Sequence, residues 1–182
     1  MVLTGCTTKV ANSKEISNLK VAATELRLQP LEGKWYYKQT PFNGYAVSYH
    51  PNGTLAKQIG YYNGKKQGTT KYWYEDGTLL RTSKYVENQL DGTLTSWWPN
   101  GTKSETSFYK KGVRQGEQQK WYASGQLARK TQFANGKENG LQQAWLENGS
   151  LYVNYEAKNG RFFGLKRSNL CYKLKDEKVQ YN

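Results

Sequence analysis

Apolar and polar residues alternate along short stretches of the chain, and glycine-containing turns separate these stretches. Tyr45, Val47 and Tyr49 alternate in one stretch, and Leu55, Ile59 and Tyr61 keep the same parity in the next. Successive side chains of a strand point to opposite faces, so a period of two is typical of a β-strand with one packed face. The intervening sequences PNG, EDG, PNG, ASG and ENG supply glycine where a hairpin turn needs positive φ. The pattern predicts a series of β-hairpins.

These hairpins recur with a fixed period of 24 residues. One glycine series consists of Gly44, Gly68, Gly92, Gly116, Gly140 and Gly164, and a second consists of Gly53, Gly77, Gly101, Gly125 and Gly149. Each unit contains two strands and two turns, and one hairpin cannot stand alone, so each unit must pack on its neighbours. The sequence therefore predicts an all-β fold, an elongated antiparallel β-meander of repeated hairpins with about ten to twelve strands.

The stretch YYNGKKQG, residues 61–68, has two possible interpretations. Two glycines with two lysines could form a loop that binds phosphate through backbone N–H groups. However, GKKQG recurs as NQLDG, GVRQG, GKENG and GRFFG, so the glycine skeleton persists while the lysines do not. A phosphate loop occurs once and precedes a helix, whereas this element recurs and precedes strands. We interpret it as a tight turn.

The period sets the expected domain boundaries. Residues 23–164 form the repeat array, in which TELRLQPLEGKWYYKQTPFNG is a degenerate first hairpin. Residues 1–22 are a polar N-terminal tether, and residues 165–182, where the period ends, are a C-terminal cap and tail.

The repeat resembles a known family. The segments YWYEDGTLL, SWWPNGTK, KWYASGQLARKTQFANGKENG and AWLENGSL are similar to those of MORN-repeat-variant proteins, especially the bacterial group named after the YwqK antitoxin. The resemblance covers residues 31–164 and implies a non-enzymatic hairpin array that presents a binding surface. The YwqK-type name implies neutralisation of a toxin by binding it, and MORN proteins more widely have been linked with anionic lipid headgroups.

The N-terminus carries a second resemblance. Leu3, Thr4, Gly5 and Cys6 resemble a bacterial lipobox, in which the chain is cleaved before a cysteine that then carries diacylglycerol. This resemblance implies lipidation of Cys6 and a location in the bacterial cell envelope. The alternative is a chance tetrapeptide in a cytoplasmic protein.

Composition favours a binding protein over an enzyme. The 27 basic and 14 acidic side chains give a net charge of +13, which predicts attraction to a polyanion. Two cysteines, Cys6 and Cys171, are too few for a disulfide framework, and the single histidine, His50, cannot form a metal cluster. We expect no catalytic residues, no metal and no cofactor. The expected partners are a protein, such as a toxin, or an anionic lipid or polysaccharide.

One candidate site is an aromatic column, defined as Tyr49, Trp73, Trp97, Trp121 and Trp145, whose members recur once per unit. Such a column could stack on sugar rings of a cell-wall polysaccharide or on unpaired bases. The alternative is that the rings cover and stabilise the sheet. A nucleic-acid binder that combines charge with aromatic residues is the partner class we expect least.

A second candidate site lies at one set of turns. Basic residues there would follow one long edge of the sheet and could contact an anionic partner: Lys65, Lys66, Lys110, Lys111, Arg114 and Lys137. The alternative interpretation is a solvated edge that keeps the protein soluble.

Overall fold

The computed structural model describes residues 14–165, and nearly all of its regular structure is β-strand. A single turn of 3-10 helix spans Ala23–Glu25. The strands are β1 (Lys20–Ala22), β2 (Arg27–Gln29), β3 (Lys34–Tyr37), β4 (Thr40–Pro41), β5 (Gly44–Tyr49), β6 (Leu55–Tyr62), β7 (Lys65–Lys66), β8 (Gly68–Trp73), β9 (Leu79–Val86), β10 (Gln89–Trp97), β11 (Lys103–Lys110), β12 (Val113–Trp121), β13 (Leu127–Ala134), β14 (Lys137–Trp145), β15 (Leu151–Lys158) and β16 (Arg161–Leu165).

The long sheet is a meander in which successive strands are neighbours. It contains 13 strands in the order β1-β5-β6-β8-β9-β10-β11-β12-β13-β14-β15-β16, with β7 paired to β6. All its pairs are antiparallel except the parallel pair of β1 and β5. The predicted all-β meander of 24-residue hairpins is confirmed.

Two sets of turns form the two long edges of the sheet. We call one edge the rim; its turns are centred on residues 63–64, 87–88, 111–112, 135–136 and 159–160. Both central residues have positive φ, for example 48° at Asn63 and 75° at Gly64, as in the hairpin turns whose twist matches that of the strands. The interpretation of YYNGKKQG as a turn is therefore confirmed.

One face of the sheet, which we call the packed face, carries most of the buried side chains. One row of repeat positions lies on this face, and its members pair across strands, for example Ala46 with Ile59 and Thr131 with Gln142. The buried members of the row are Ala46, Ile59, Thr70, Ser83, Ser107, Gln118, Thr131, Gln142 and Tyr155. The opposite face, called the open face, carries the alternate residues, including Lys71, Thr82 and Thr95.

The N-terminal part of the chain covers one end of the packed face. Strands β2, β3 and β4 form a separate three-stranded sheet, so residues 27–41 do not continue the meander as a first hairpin of the array. The apolar core lies at this end and contains Val21, Leu26, Phe42, Ala46, Ile59 and Tyr61. Backbones approach closely here, because a Cβ on Gly44 would lie 2.4 Å from the Leu19 carbonyl oxygen. We call residues 20–41 the N-terminal cap.

Several expectations fall on residues outside the described range of 14–165. These are the lipobox with Cys6, most of the N-terminal tether, Cys171 and the C-terminal cap and tail. Within the described range, the structure contains no helix of the length and apolarity that a membrane span requires.

Candidate binding surface

The aromatic column lies at the ends of strands on the edge opposite the rim. Trp73, Trp97, Trp121 and Trp145 each end a strand, and Tyr49 does the same in the first unit. The strand pairing shifts register at each of them. Tyr49 is 62% exposed, and the four tryptophans are partly buried.

The backbone of the aromatic column connects successive units. Tyr74 Oη donates a hydrogen bond to the carbonyl of Trp97 at 2.8 Å, and Tyr122 Oη donates to that of Trp145 at 3.0 Å. Trp98 Nε1 donates to the carbonyl of Trp121 at 2.9 Å. These bonds join each unit to the next, so the column takes part in the structure through its carbonyl groups. The period alone did not reveal these bonds, although the aromatic residue with a polar group that follows each of the first four column members was a usable signal.

His50 occupies the same repeat position as Tyr74 and makes the equivalent contact. Its Nε2 lies 2.9 Å from the carbonyl oxygen of Trp73. Among the described residues, no group of three or more His, Cys, Asp or Glu side chains is placed to hold a metal ion. His50 therefore connects two units.

The structure divides the six predicted rim cations between the two faces. Lys66 pairs with Tyr61, and Arg114 pairs with Tyr109, which places both cations beside the aromatic rings of the packed face. Lys65 precedes Lys66 and therefore points to the open face. Lys65 also forms an ion pair with Glu87 at 3.4 Å. The six side chains do not form one continuous patch.

Lys66 and Arg114 contact aromatic rings. The Lys66 ammonium lies 5.4 Å from the centre of the Tyr85 ring, and the Arg114 guanidinium lies 5.9 Å from that of Tyr109 and 5.5 Å from that of Phe133. Burial, followed by the nearby Lys57 charge, lowers the pKa of Lys66. The hydrogen bond from Arg114 Nε to Tyr109 Oη, 3.0 Å long, raises the pKa of Arg114. Both side chains are therefore held against the sheet.

The remaining rim cations are exposed. Lys110, Lys111 and Lys137 lie at two successive rim turns, and none of them forms an ion pair within residues 14–165. Glu87, an acidic residue of the rim, is already paired with Lys14 and Lys65. Among the six predicted cations, these three lysines are therefore the ones that are exposed and free to contact a partner.

A second group of cations lies in the row of the packed face that runs next to the buried row. Cross-strand pairs connect Lys57, Tyr72 and Arg81 at one end. At the other end of the row, Lys120 pairs with Glu105 on one side and with Arg129 on the other. Arg129 also forms an ion pair with Glu138 at 3.5 Å. Lys57, Arg81, Glu105 and Arg129 stand 24 residues apart in the sequence, whereas the position of Lys120 beside Arg129 is evident only from the strand register.

Comparison with known proteins identifies the repeat. The family model described as MORN repeat variant matches residues 42–63, 66–87, 90–111 and 114–135. No curated protein matches the chain. Among solved structures, a mutant of S. aureus TarM in complex with fondaparinux, alpha-GlcNAc-glycerol and UDP matches with 14% identity and a TM-score of 0.33. That match covers 63% of this chain and 21% of the TarM chain, and at this TM-score it carries no functional argument.

Proposed function

The chain contains four MORN variant repeats between residues 42 and 135, and from this premise we propose that it is a non-enzymatic scaffold whose rim binds a polyanionic partner. Repeat arrays of this kind present long surfaces, because each hairpin exposes the same edge as its neighbours. The observation that carries the proposal is that three of the predicted rim lysines, Lys110, Lys111 and Lys137, are exposed and have no carboxylate partner in the described chain.

The overall charge supports this proposal. The chain has a net charge of +13, and Glu87, an acidic residue of the rim, is already paired with two lysines. Positive charge on one edge raises the encounter rate with an acidic partner and sets its orientation. The partner is a protein with an acidic surface, such as a toxin, or an anionic lipid surface.

We test the rim with two variants that lose the same charge. The rim variant carries Lys110→Gln, Lys111→Gln and Lys137→Gln. The matched control carries Lys71→Gln, Lys84→Gln and Lys103→Gln, which are exposed residues away from the rim and have no ion pair in the described chain. The probes are poly-glutamate, vesicles of phosphatidylglycerol in phosphatidylcholine, and vesicles of phosphatidylcholine alone.

We expect the rim variant to bind poly-glutamate or the anionic vesicles about tenfold more weakly than the unaltered chain, and the control variant to stay within about threefold. Binding to poly-glutamate alone would assign the partner to acidic proteins, and binding to anionic vesicles alone would assign it to lipid. Equal losses in both variants, or no binding to either anionic probe, would contradict the proposal.

We also propose a bacterial envelope location through a lipid on Cys6. The support is the Leu-Thr-Gly-Cys sequence at residues 3–6, followed by polar residues. Diacylation would anchor the array far more firmly than one acyl chain does. Intact mass and membrane partition of the native product, compared with Cys6→Ser, test this. A lipid mass that is lost in the variant supports the anchor, and an unmodified chain in the soluble fraction contradicts it.

A further inference from the structure

A small cavity lies where the N-terminal cap meets the first hairpin unit. It has a volume of about 130 Å³ and is lined by Ala23, Leu26, Trp35, Ala46, Lys57, Ile59, Tyr61 and Lys66. Six of these eight residues are apolar or aromatic. The other two, Lys57 and Lys66, are the only charged groups of the lining. The cavity therefore combines apolar walls with a paired positive charge.

The two lysines of the cavity have no acidic partner. The ion pairs formed within residues 14–165 involve neither Lys57 nor Lys66. Arg81 extends the positive charge, because Lys57 and Arg81 both pair with Tyr72, one on each side. Partly buried like charges repel one another, and an anion between them would reduce this repulsion.

Phenol groups surround the same charges. Burial, followed by the nearby phenols of Tyr72 and Tyr85, raises the pKa of Tyr61 to about 12. The pKa of Tyr72 is also raised, first by burial and then by Tyr85. These hydroxyl groups are neutral at physiological pH. Neither of them has a hydrogen-bond partner in the described chain, so both can donate to a ligand.

We propose that this cavity binds a compact apolar group that ends in a carboxylate. The apolar part lies against Leu26, Trp35 and Ile59, and the carboxylate lies between the ammonium groups of Lys57 and Lys66. A bare inorganic anion would leave the apolar walls without a contact, and a neutral apolar ligand would leave both charges unpaired. An ammonium–carboxylate contact is stronger than a neutral hydrogen bond.

This chemistry can come from two sources, a small free acid or the C-terminal residue of a peptide with an aliphatic side chain. The site goes beyond the proposed scaffold role of the rim. Lys110, Lys111 and Lys137 do not line the cavity, so the rim variant described above keeps it intact. Failure of one proposal therefore leaves the other standing.

The experiment uses the full chain and simple probes. Isocaproate supplies the branched apolar group with a carboxylate, isocaproamide is its neutral equivalent, and acetate is the anion without the apolar part. Affinity is measured by calorimetry, and the Trp35 indole signal in the ¹H–¹⁵N spectrum, assigned with Trp35→Phe, reports occupation of the cavity. A Gly-Gly-Leu peptide, with a free or an amidated C-terminus, distinguishes a chain end from a free acid.

We expect isocaproate to shift the Trp35 signal and to bind with a dissociation constant of about 1 mM or lower. Isocaproamide and acetate should bind at least about tenfold more weakly than isocaproate. Tighter binding of the free-ended peptide than of isocaproate, lost on amidation, would identify a chain end as the ligand. Failure of isocaproate to move the Trp35 signal, or equal binding of the amide, would overturn the proposal.

Variants test the roles of the residues. Lys57→Met and Lys66→Met should each weaken isocaproate binding about tenfold. Lys65→Met, one residue away and directed to the other face, should change it by less than about twofold. Ala23→Leu should fill the cavity and prevent binding, and it tests the site without altering charge. Unchanged affinity in Lys66→Met and Ala23→Leu, with the melting temperature retained, would contradict the site.

Discussion

The buried row of the packed face is apolar in its first unit and mainly polar in the units that follow. In the first unit Ala46 and Ile59 occupy the buried row, and the N-terminal cap covers them. One period later the same positions hold Thr70 and Ser83, which are just as buried. The comparison shows that burial in this array does not require apolar side chains. An apolar core forms only where a second layer covers the sheet.

Different physical terms hold the two regions together. At the capped end, Phe42 is 1% exposed and contacts the rings of Tyr37 and Tyr61. Farther along, Gln142 is also 1% exposed, but it is held by hydrogen bonds to the backbone of residues 132 and 140. The first region depends on the hydrophobic effect and the second on satisfied polar groups.

The largest expected effect is at the capped end. Phe42→Ala should lower the free energy of unfolding by about 3–5 kcal/mol, because it removes a buried ring and leaves a cavity. Phe108→Ala is the matched control, since Phe108 is 45% exposed on the open face; we expect a loss below about 1 kcal/mol. Urea denaturation followed by tryptophan fluorescence measures both. Equal losses would remove the distinction between the covered and uncovered parts of the sheet.

The polar region predicts a smaller loss. Gln142→Leu should lower the free energy of unfolding by about 1–3 kcal/mol, since the Gln132 backbone N–H and carbonyl lose their side-chain partner. Leucine fills a similar volume, so lost hydrogen bonds and not a cavity cause the effect. The same denaturation experiment applies, and a variant as stable as the unaltered chain would show that the buried row tolerates apolar residues without a covering layer.

Thr70 provides the opposite test in the same row. Its hydroxyl is buried and has no hydrogen-bond partner in the described chain. Thr70→Val keeps the shape and removes the unpaired hydroxyl, so we expect the free energy of unfolding to rise by about 1 kcal/mol. Thr131→Val is the matched control, because the Thr131 hydroxyl accepts a hydrogen bond from Arg129 Nε at 3.1 Å; that variant should be less stable. The reverse order of the two variants would be evidence against the role of hydrogen bonding in this row.

The smallest expected effect is at a rim turn, which lies outside both regions. Lys111 has a φ of 49° where most rim turns have asparagine. Asparagine adopts this conformation more readily, so Lys111→Asn should raise the melting temperature by an amount equivalent to about 0.5–1 kcal/mol. Asn135→Lys, at the same position of the next turn, should have the opposite effect. Calorimetry measures both changes, and a loss of stability in Lys111→Asn would show that the lysine side chain stabilises the turn.

The strands, turns and meander could be predicted from the sequence because every unit repeats the same alternation and the same turn glycines. The N-terminal cap could not be predicted in this way, although the sequence contains a signal of it. Trp35 and Phe42 stand 24 residues before Ile59 and Lys66, so these two aromatic residues are out of phase with the aromatic positions of the repeat. Such residues pack outside the repeat, here against Tyr61 and the core of the cap.

The candidate sites were predictable to different extents. The rim position of Lys110, Lys111 and Lys137 followed from the turns. The separation of Lys65 from Lys66 could have followed from strand alternation, but the contact of Lys66 with the Tyr85 ring required the strand register. Sequence reasoning missed the cavity entirely, because its walls come from the cap together with β5, β6 and β7.

The salt dependence of binding is the most direct test of the proposed role of the rim. The affinity of the unaltered chain and of the rim variant is measured over a series of NaCl concentrations, with whichever anionic probe binds more tightly. We expect a steep fall in affinity with salt for the unaltered chain and a clearly shallower fall for the rim variant, because each lost lysine removes a screened charge contact. Affinity that does not change with salt, or identical slopes for the two chains, would contradict the claim that the rim binds a polyanion.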